Sequence, residues 1–143
     1  MPRKRSSAPR EVFLSHSSKN VAFVNRLVKV LGDYGVNVFL SKANIQGAQQ
    51  WHDQIGTALR RCDWFLLVLS PQSVQSRCVK HELIYALQEN RYRERIIPVL
   101  YKTCDADNLS WTLSAIEWVD FRRDFDKACE QLLRIWQIKY KPA

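Results

Sequence analysis

The sequence predicts an α/β fold: a five-stranded parallel sheet in the order 2-1-3-4-5, flanked by helices in a flavodoxin-like three-layer arrangement. Three observations predict it. Short apolar runs alternate along the chain with stretches of three- and four-residue apolar spacing, the pattern of βαβ units joined by right-handed crossovers. One run, Trp64 to Leu69, is apolar throughout, as suits a strand covered on both faces. With 143 residues, 46% of them hydrophobic and 25% charged, the chain has the size and composition of one folded domain.

The elements follow in order. Val12-Phe13-Leu14 is the first strand. Val21, Val24, Leu27, Val28, Leu31 and Tyr34 then share one face of an amphipathic helix, which Gly35 stops in the left-handed cap position. Val36 to Leu40 is the second strand. After a polar loop, Ser41 to Gln50, the residues Trp51, Ile55, Ala58, Leu59 and Cys62 mark the second helix. Trp64 to Leu69 is the third strand, ended by Ser70-Pro71, and Val79, Leu83, Ala86 and Leu87 mark the third helix. Ile96 to Leu100 is the fourth strand, where Pro98 points to a sheet edge or the strand's end. Residues 102 to 115 form a looser connection, Ile116 to Phe121 the fifth strand. Phe125, Ala128, Cys129, Leu132, Leu133 and Trp136 lie on the last helix.

Charge and special residues narrow the function. Residues 1 to 10 hold Arg3, Lys4, Arg5 and Arg10 and no acid, so half of the net charge of +8 sits in what reads as a disordered basic leader. A folded domain from 11 to 140 and a tail from 141 to 143 remain, only moderately basic, which makes a nucleic-acid partner the most distant reading. The cysteines form no CxxC pair and the histidines no HExxH motif, so neither a zinc site nor a disulfide framework is expected. Gly32, Gly35, Gly47 and Gly56 lack the spacing of a dinucleotide-binding turn or a phosphate loop. The longest apolar run is far below the roughly 20 residues of a membrane span, so a cytoplasmic protein without a membrane partner is expected.

In a sheet of this order ligands sit beyond the carboxyl ends of the strands. A response-regulator receiver shares the architecture, but its chemistry needs an acidic cluster after strand one and an aspartate ending strand three. Here those places read Leu14-Ser15-His16-Ser17-Ser18 and Leu69-Ser70-Pro71, so phosphotransfer is excluded.

The residues at these places fit another pattern. FLSHSSKN (Phe13 to Asn20), VNVFL (Val36 to Leu40), the loop with Ile45 and Gly47, CDWFLLVLSPQSVQS (Cys62 to Ser76), VKHEL (Val79 to Leu83) and RIIPVL (Arg95 to Leu100) together resemble the TIR (Toll/interleukin receptor) family in its bacterial-type branch. The resemblance spans residues 11 to 136. It implies one of two roles: a non-catalytic adaptor or scaffold acting through homotypic TIR–TIR contacts, or an enzyme that hydrolyses NAD+ at the nicotinamide–ribose bond, with or without cyclisation of the ADP-ribose. The family's catalytic glutamate falls on Glu82. NAD+ would then be substrate, with no cofactor required.

The resemblance also assigns the pocket. The loop after strand one, with Ser15, His16, Ser17 and Ser18, would contribute to nucleotide binding; read from the residues alone, Ser18 or Asn20 equally suits a helix cap. The loop from Ser41 to Gln50, which holds Gly47, matches the family's variable loop at the site. Trp51 could stack on nicotinamide or adenine, but a core place beside Ile55 and Ala58 suits it better. Two positions depart from the family's pattern: Ser41 stands where an acid often ends strand two, and Cys78 where a tryptophan often precedes the glutamate by four residues.

A single carboxylate can suffice for this reaction. Ordinary glycosidases use an acid for the leaving group and a second carboxylate for the cation-like centre, but nicotinamide is already cationic in NAD+ and departs neutral. An ionised Glu82 could orient the ribose hydroxyls and stabilise the oxocarbenium-like transition state. At about 100° per residue, Glu82 falls between the Val79–Ala86 edge of the apolar stripe and the polar side of its helix. Without the motif such a boundary glutamate also suits a solvated position, or a partner for Lys80 or an arginine between 91 and 95. The expected function is an NAD+ glycohydrolase in immune or stress signalling, active on self-assembly. The end at Lys139-Tyr140-Lys141-Pro142 suits a junction to a sensor or effector domain as well as a natural terminus.

Overall fold

A computed structural model describes residues 8 to 41 and 48 to 142, and for residues 48 to 51 the backbone alone. Five parallel strands form one sheet: β1 (Val12–Ser15), β2 (Val38–Leu40), β3 (Trp64–Leu69), β4 (Ile96–Leu100) and β5 (Val119–Asp120), in the order β2-β1-β3-β4-β5. The register sets Leu14 beside Leu40 on one side and Leu66 on the other, and Ser15 opposite Leu67, so β3 runs two residues beyond the end of β1.

Every residue of β1 and β3 is buried, which is what the continuous apolar runs require of strands covered on both faces. Helices α1 (Val21–Asp33) and α4 (Phe125–Ile135) cover one face, packing Phe23, Leu27, Leu31, Leu132 and Trp136 on Leu14, Leu66 and Val99. Helices α2 (Ala48–Arg61) and α3 (Arg77–Gln88) cover the other, with Ile55, Leu59, Val79 and Leu83 on Phe13, Phe65 and Leu67. Alternate residues of each strand thus feed opposite cores.

Helix α1 closes as its sequence predicts. Gly35 has φ +82°, its N–H donates to Gly32 O at 3.0 Å, and Val36 N–H donates to Leu31 O at 2.9 Å, the two bonds of a Schellman motif. Val36 is thereby taken from β2, which starts two residues later than the apolar run suggests. The fifth strand is shorter still than Ile116 to Phe121, because Ile116 closes a 3-10 turn over Trp111–Ala115. Helix α2 starts at Ala48, inside the stretch read as loop.

Pro98 lies neither at an edge nor at a strand end: β4 pairs with both β3 and β5. Arg95 O accepts from β3 and Leu100 O accepts from Phe121 N, so backbone alternation turns the Pro98 nitrogen toward β5. That ladder begins only at Val99 opposite Val119, and the missing N–H costs no sheet bond.

Cys62 and Cys129 are buried core residues, and Cys78 and Cys104 are half-buried. Among the described residues no acidic, histidine and cysteine groups cluster as a metal site would, and no helix is long and apolar enough to cross a membrane.

Candidate active site

Three strands that meet at the carboxyl edge of the sheet finish in the same dipeptide: Leu14-Ser15, Leu40-Ser41 and Leu69-Ser70. In each the leucine faces a core or the sheet while the serine sits where the strand runs out, and all three serines are buried. A buried hydroxyl needs a partner, and the partners these serines choose define the site.

Ser15 Oγ donates to Oε1 of Glu82 at 2.6 Å, and Ser41 Oγ donates to Oε2 of the same carboxylate. Glu82 projects from the second turn of α3 and is only 5% exposed. This differs from the boundary position read from the helical period. The carboxylate turns inward because two strand ends offer it hydroxyl donors, one per oxygen, which lets an acid be buried between apolar neighbours. It pairs with neither Lys80 nor an arginine of the 91 to 95 run. Burial raises its pKa from 4.5 to about 7 and outweighs the two serine bonds, which pull the other way. Near neutral pH the group is therefore divided between its charged and neutral forms.

Ser70 serves the neighbouring loops. Its Oγ donates to Asn20 Oδ1 at 2.6 Å and accepts from Ser73 N at 3.0 Å, while Ser73 Oγ accepts from Ser70 N at 2.9 Å. Asn20 reaches on to Gln72 Oε1 at 3.4 Å. The turn after β1 and the turn after β3 are thus joined by buried side chains.

Between these turns lies a cavity of about 450 Å³. Ser17, Ser18 and Lys19 line it from the first turn, Pro71, Gln72 and Gln75 from the second, and Ser76, Arg77 and Cys78 from the start of α3. Ser17 caps the short 3-10 turn before α1, accepting from Lys19 N, and Ser76 caps α3, accepting from Val79 N. Asn20 occupies the cap position of α1 without a capping bond, its side chain being committed to Ser70. A larger cavity, about 760 Å³, opens at the opposite end of the sheet between the starts of β3 and β4 and the end of α3.

Of the residues singled out in the sequence, Ser15 and Glu82 touch, and Ser17 and Ser18 line the adjoining cavity. His16 is half-buried between them in the chain. Gly47 lies outside the described residues. Trp51 lies in the first turn of α2, where the backbone alone is described. Cys78 stands one helical turn before Glu82 and links it to the cavity wall; its thiol is pushed up by burial first and by the Glu82 carboxylate second. The sequence reading missed Ser41 as a partner of Glu82 and Asn20, Ser70 and Ser73 as a network. The repeated Leu-Ser strand endings were the available signal.

Comparison with known proteins agrees with this architecture. A family model described as TIR domain matches residues 12 to 133. No curated protein matches the chain. Among solved structures, the TIR domain of the Toll-related receptor TRR-2 from Hydra magnipapillata superposes with a TM-score of 0.70 at 19% identity, covering 86% of this chain and 94% of that one. The TIR domains of the activated Roq1 resistosome, which directly recognises the pathogen effector XopQ, give 0.65 at 16% identity, covering 87% and 97%. A prokaryotic SEFIR domain gives 0.63 at 17% identity, covering 91% and 99%.

Proposed function

The chain belongs to the TIR domain family, and from that premise we propose that it cleaves NAD+ at the nicotinamide–ribose bond with Glu82 as the essential carboxylate. The observation that carries the proposal is the placement of Glu82, a buried acid at the carboxyl end of the sheet with a serine hydroxyl on each oxygen.

The chemistry asks little else of the protein. Breaking the C1′–N bond sends its electron pair onto the pyridinium nitrogen, so nicotinamide leaves neutral and no general acid is needed. Water adds to C1′ and releases one proton, which completes ADP-ribose; attack by an adenine nitrogen closes a cyclic product instead. Ionised Glu82 stabilises the positive charge that builds at C1′, and a water-poor setting strengthens that interaction. The adjoining cavity supports the reading, because Lys19, Arg77 and the hydroxyls of Ser17, Ser18 and Ser76 suit a pyrophosphate.

Self-association and a part in immune or stress signalling belong to the same proposal. Their support is the likeness to the TIR domains of an activated resistosome.

The test is to incubate the purified chain at high concentration with NAD+ and follow free nicotinamide. Release that is abolished in Glu82→Gln is the expected result. No release even from concentrated or crowded protein, or full release by Glu82→Gln, leaves the chain an adaptor that works through contacts between TIR domains.

A further inference from the structure

We propose that Ser41 is a positioning residue for Glu82: its hydroxyl, on Oε2, sets the orientation of the carboxylate against the fixed anchor that Ser15 provides on Oε1. The proposal rests on the reading of Glu82 as the reacting carboxylate and adds a residue to which no role has been given.

A glutamate side chain has three rotatable bonds, and a single hydrogen bond leaves its carboxyl plane free to turn. Two donors on the two oxygens fix that plane. Here the donors come from different strands. Ser15 is fully buried within β1, an inner strand flanked by β2 and β3, and pairs in register with Leu67. Ser41 lies one residue past the end of β2, the outermost strand, where its N–H donates to Leu14 O at 3.2 Å. One anchor is thus built into the sheet and the other hangs at its margin, so Ser41 decides whether the second oxygen is held.

The bond also biases ionisation. Both serines donate, which favours the charged carboxylate against the burial that opposes it. Cys78, on the same helix, is a titratable group coupled to Glu82, and the groups meeting the carboxylate from β1 and from the end of β2 are the two serine hydroxyls.

The experiment titrates the Glu82 carboxyl by carbon-13 NMR in the 143-residue chain, assigned by its loss in Glu82→Gln. Ser41→Ala is expected to move the midpoint upward by about one pH unit. Ser41→Cys, which fills the same space with a poorer donor, moves it the same way, and Ser41→Thr, which keeps the hydroxyl, returns it. In the nicotinamide assay Ser41→Ala loses about five-fold in kcat at neutral pH, the drop in ionised fraction that such a move produces, with KM within about two-fold. A midpoint in Ser41→Ala and Ser41→Cys equal to that of the unchanged protein overturns the inference. An absence of nicotinamide release with the titration shift intact overturns the hydrolase reading and leaves the positioning of Glu82 standing.

Discussion

Ser70 Oγ donates to Asn20 Oδ1 at 2.6 Å and so joins two turns that lie 50 residues apart in the chain. Both residues are buried, and the same hydroxyl also accepts from Ser73 N. Ser70→Ala leaves the Asn20 carbonyl and the Ser73 N–H short of a partner inside the protein. A loss of about 1–3 kcal/mol in unfolding free energy is expected, read as a lower midpoint in urea with an unchanged slope. A midpoint unaltered by the substitution shows that water replaces the hydroxyl at no cost.

Glu82 makes the fold sensitive to pH in a stated direction. Its folded pKa, about 7, lies above its ordinary value of 4.5, so the folded chain holds a proton that the unfolded chain has released between those limits. Its contribution to stability is therefore complete below pH 4.5 and is lost as pH rises through 7. The loss amounts to about 3 kcal/mol. Glu82→Gln abolishes that slope and is more stable than the unchanged protein at pH 8, measured by thermal or urea unfolding across pH. If the hydrolase proposal holds, activity runs oppositely: nicotinamide release rises through pH 7 as Glu82 ionises, and the glutamine variant is stable and inactive.

Two helices end in the same motif on different residues. After α1 the left-handed position is Gly35; after α4 it is Gln137, with φ +61°, whose N–H donates to Arg134 O while Ile138 N–H donates to Leu133 O. Nothing lies within 4 Å of a Cβ built on Gly35, so Gly35→Ala costs the left-handed backbone alone, about 1–2 kcal/mol. Gln137 is exposed and already bears that strain. Gln137→Gly is expected to stabilise by about 0.5–1 kcal/mol, so the two substitutions shift the melting temperature in opposite directions.

Leu59 O, near the end of α2, accepts from Tyr92 Oη at 2.5 Å and from Arg91 Nη2 at 2.8 Å. It is one of the last helical carbonyls, which α2 itself leaves without a donor. Tyr92→Phe removes one donor and costs about 0.5–1.5 kcal/mol. Adding Arg91→Met removes the other, and the double variant is expected to lose more than the two single losses together, by about 1 kcal/mol in a double-mutant cycle. Additive losses show that the two donors act separately.

What could be read beforehand follows from how local each cause is. β3 and β4 begin and end where the sequence predicts, because apolar runs bounded by turn residues carry their own limits. The outer strands are shorter than their runs because neighbours claim their first residues: Val36 closes α1, and Ile116 closes the Trp111–Ala115 turn. Pro98 misleads since only the partner strand reveals which way its nitrogen points. At the site, the period of α3 places Glu82 on a margin, and the serines that draw it inward lie 67 and 41 positions earlier in the chain. Gln137 gives no glycine signal for its left-handed turn.

The brevity of the outer strands bears on how copies of this domain can join. β2 offers three residues at one margin of the sheet and β5 two at the other. A neighbouring backbone laid alongside either would gain too few hydrogen bonds to hold, which is how sheet proteins blunt runaway stacking of strands. If copies of this domain associate as proposed, the contacts fall to side chains on the helices and loops, where a single substitution can change partner and affinity without threatening the sheet.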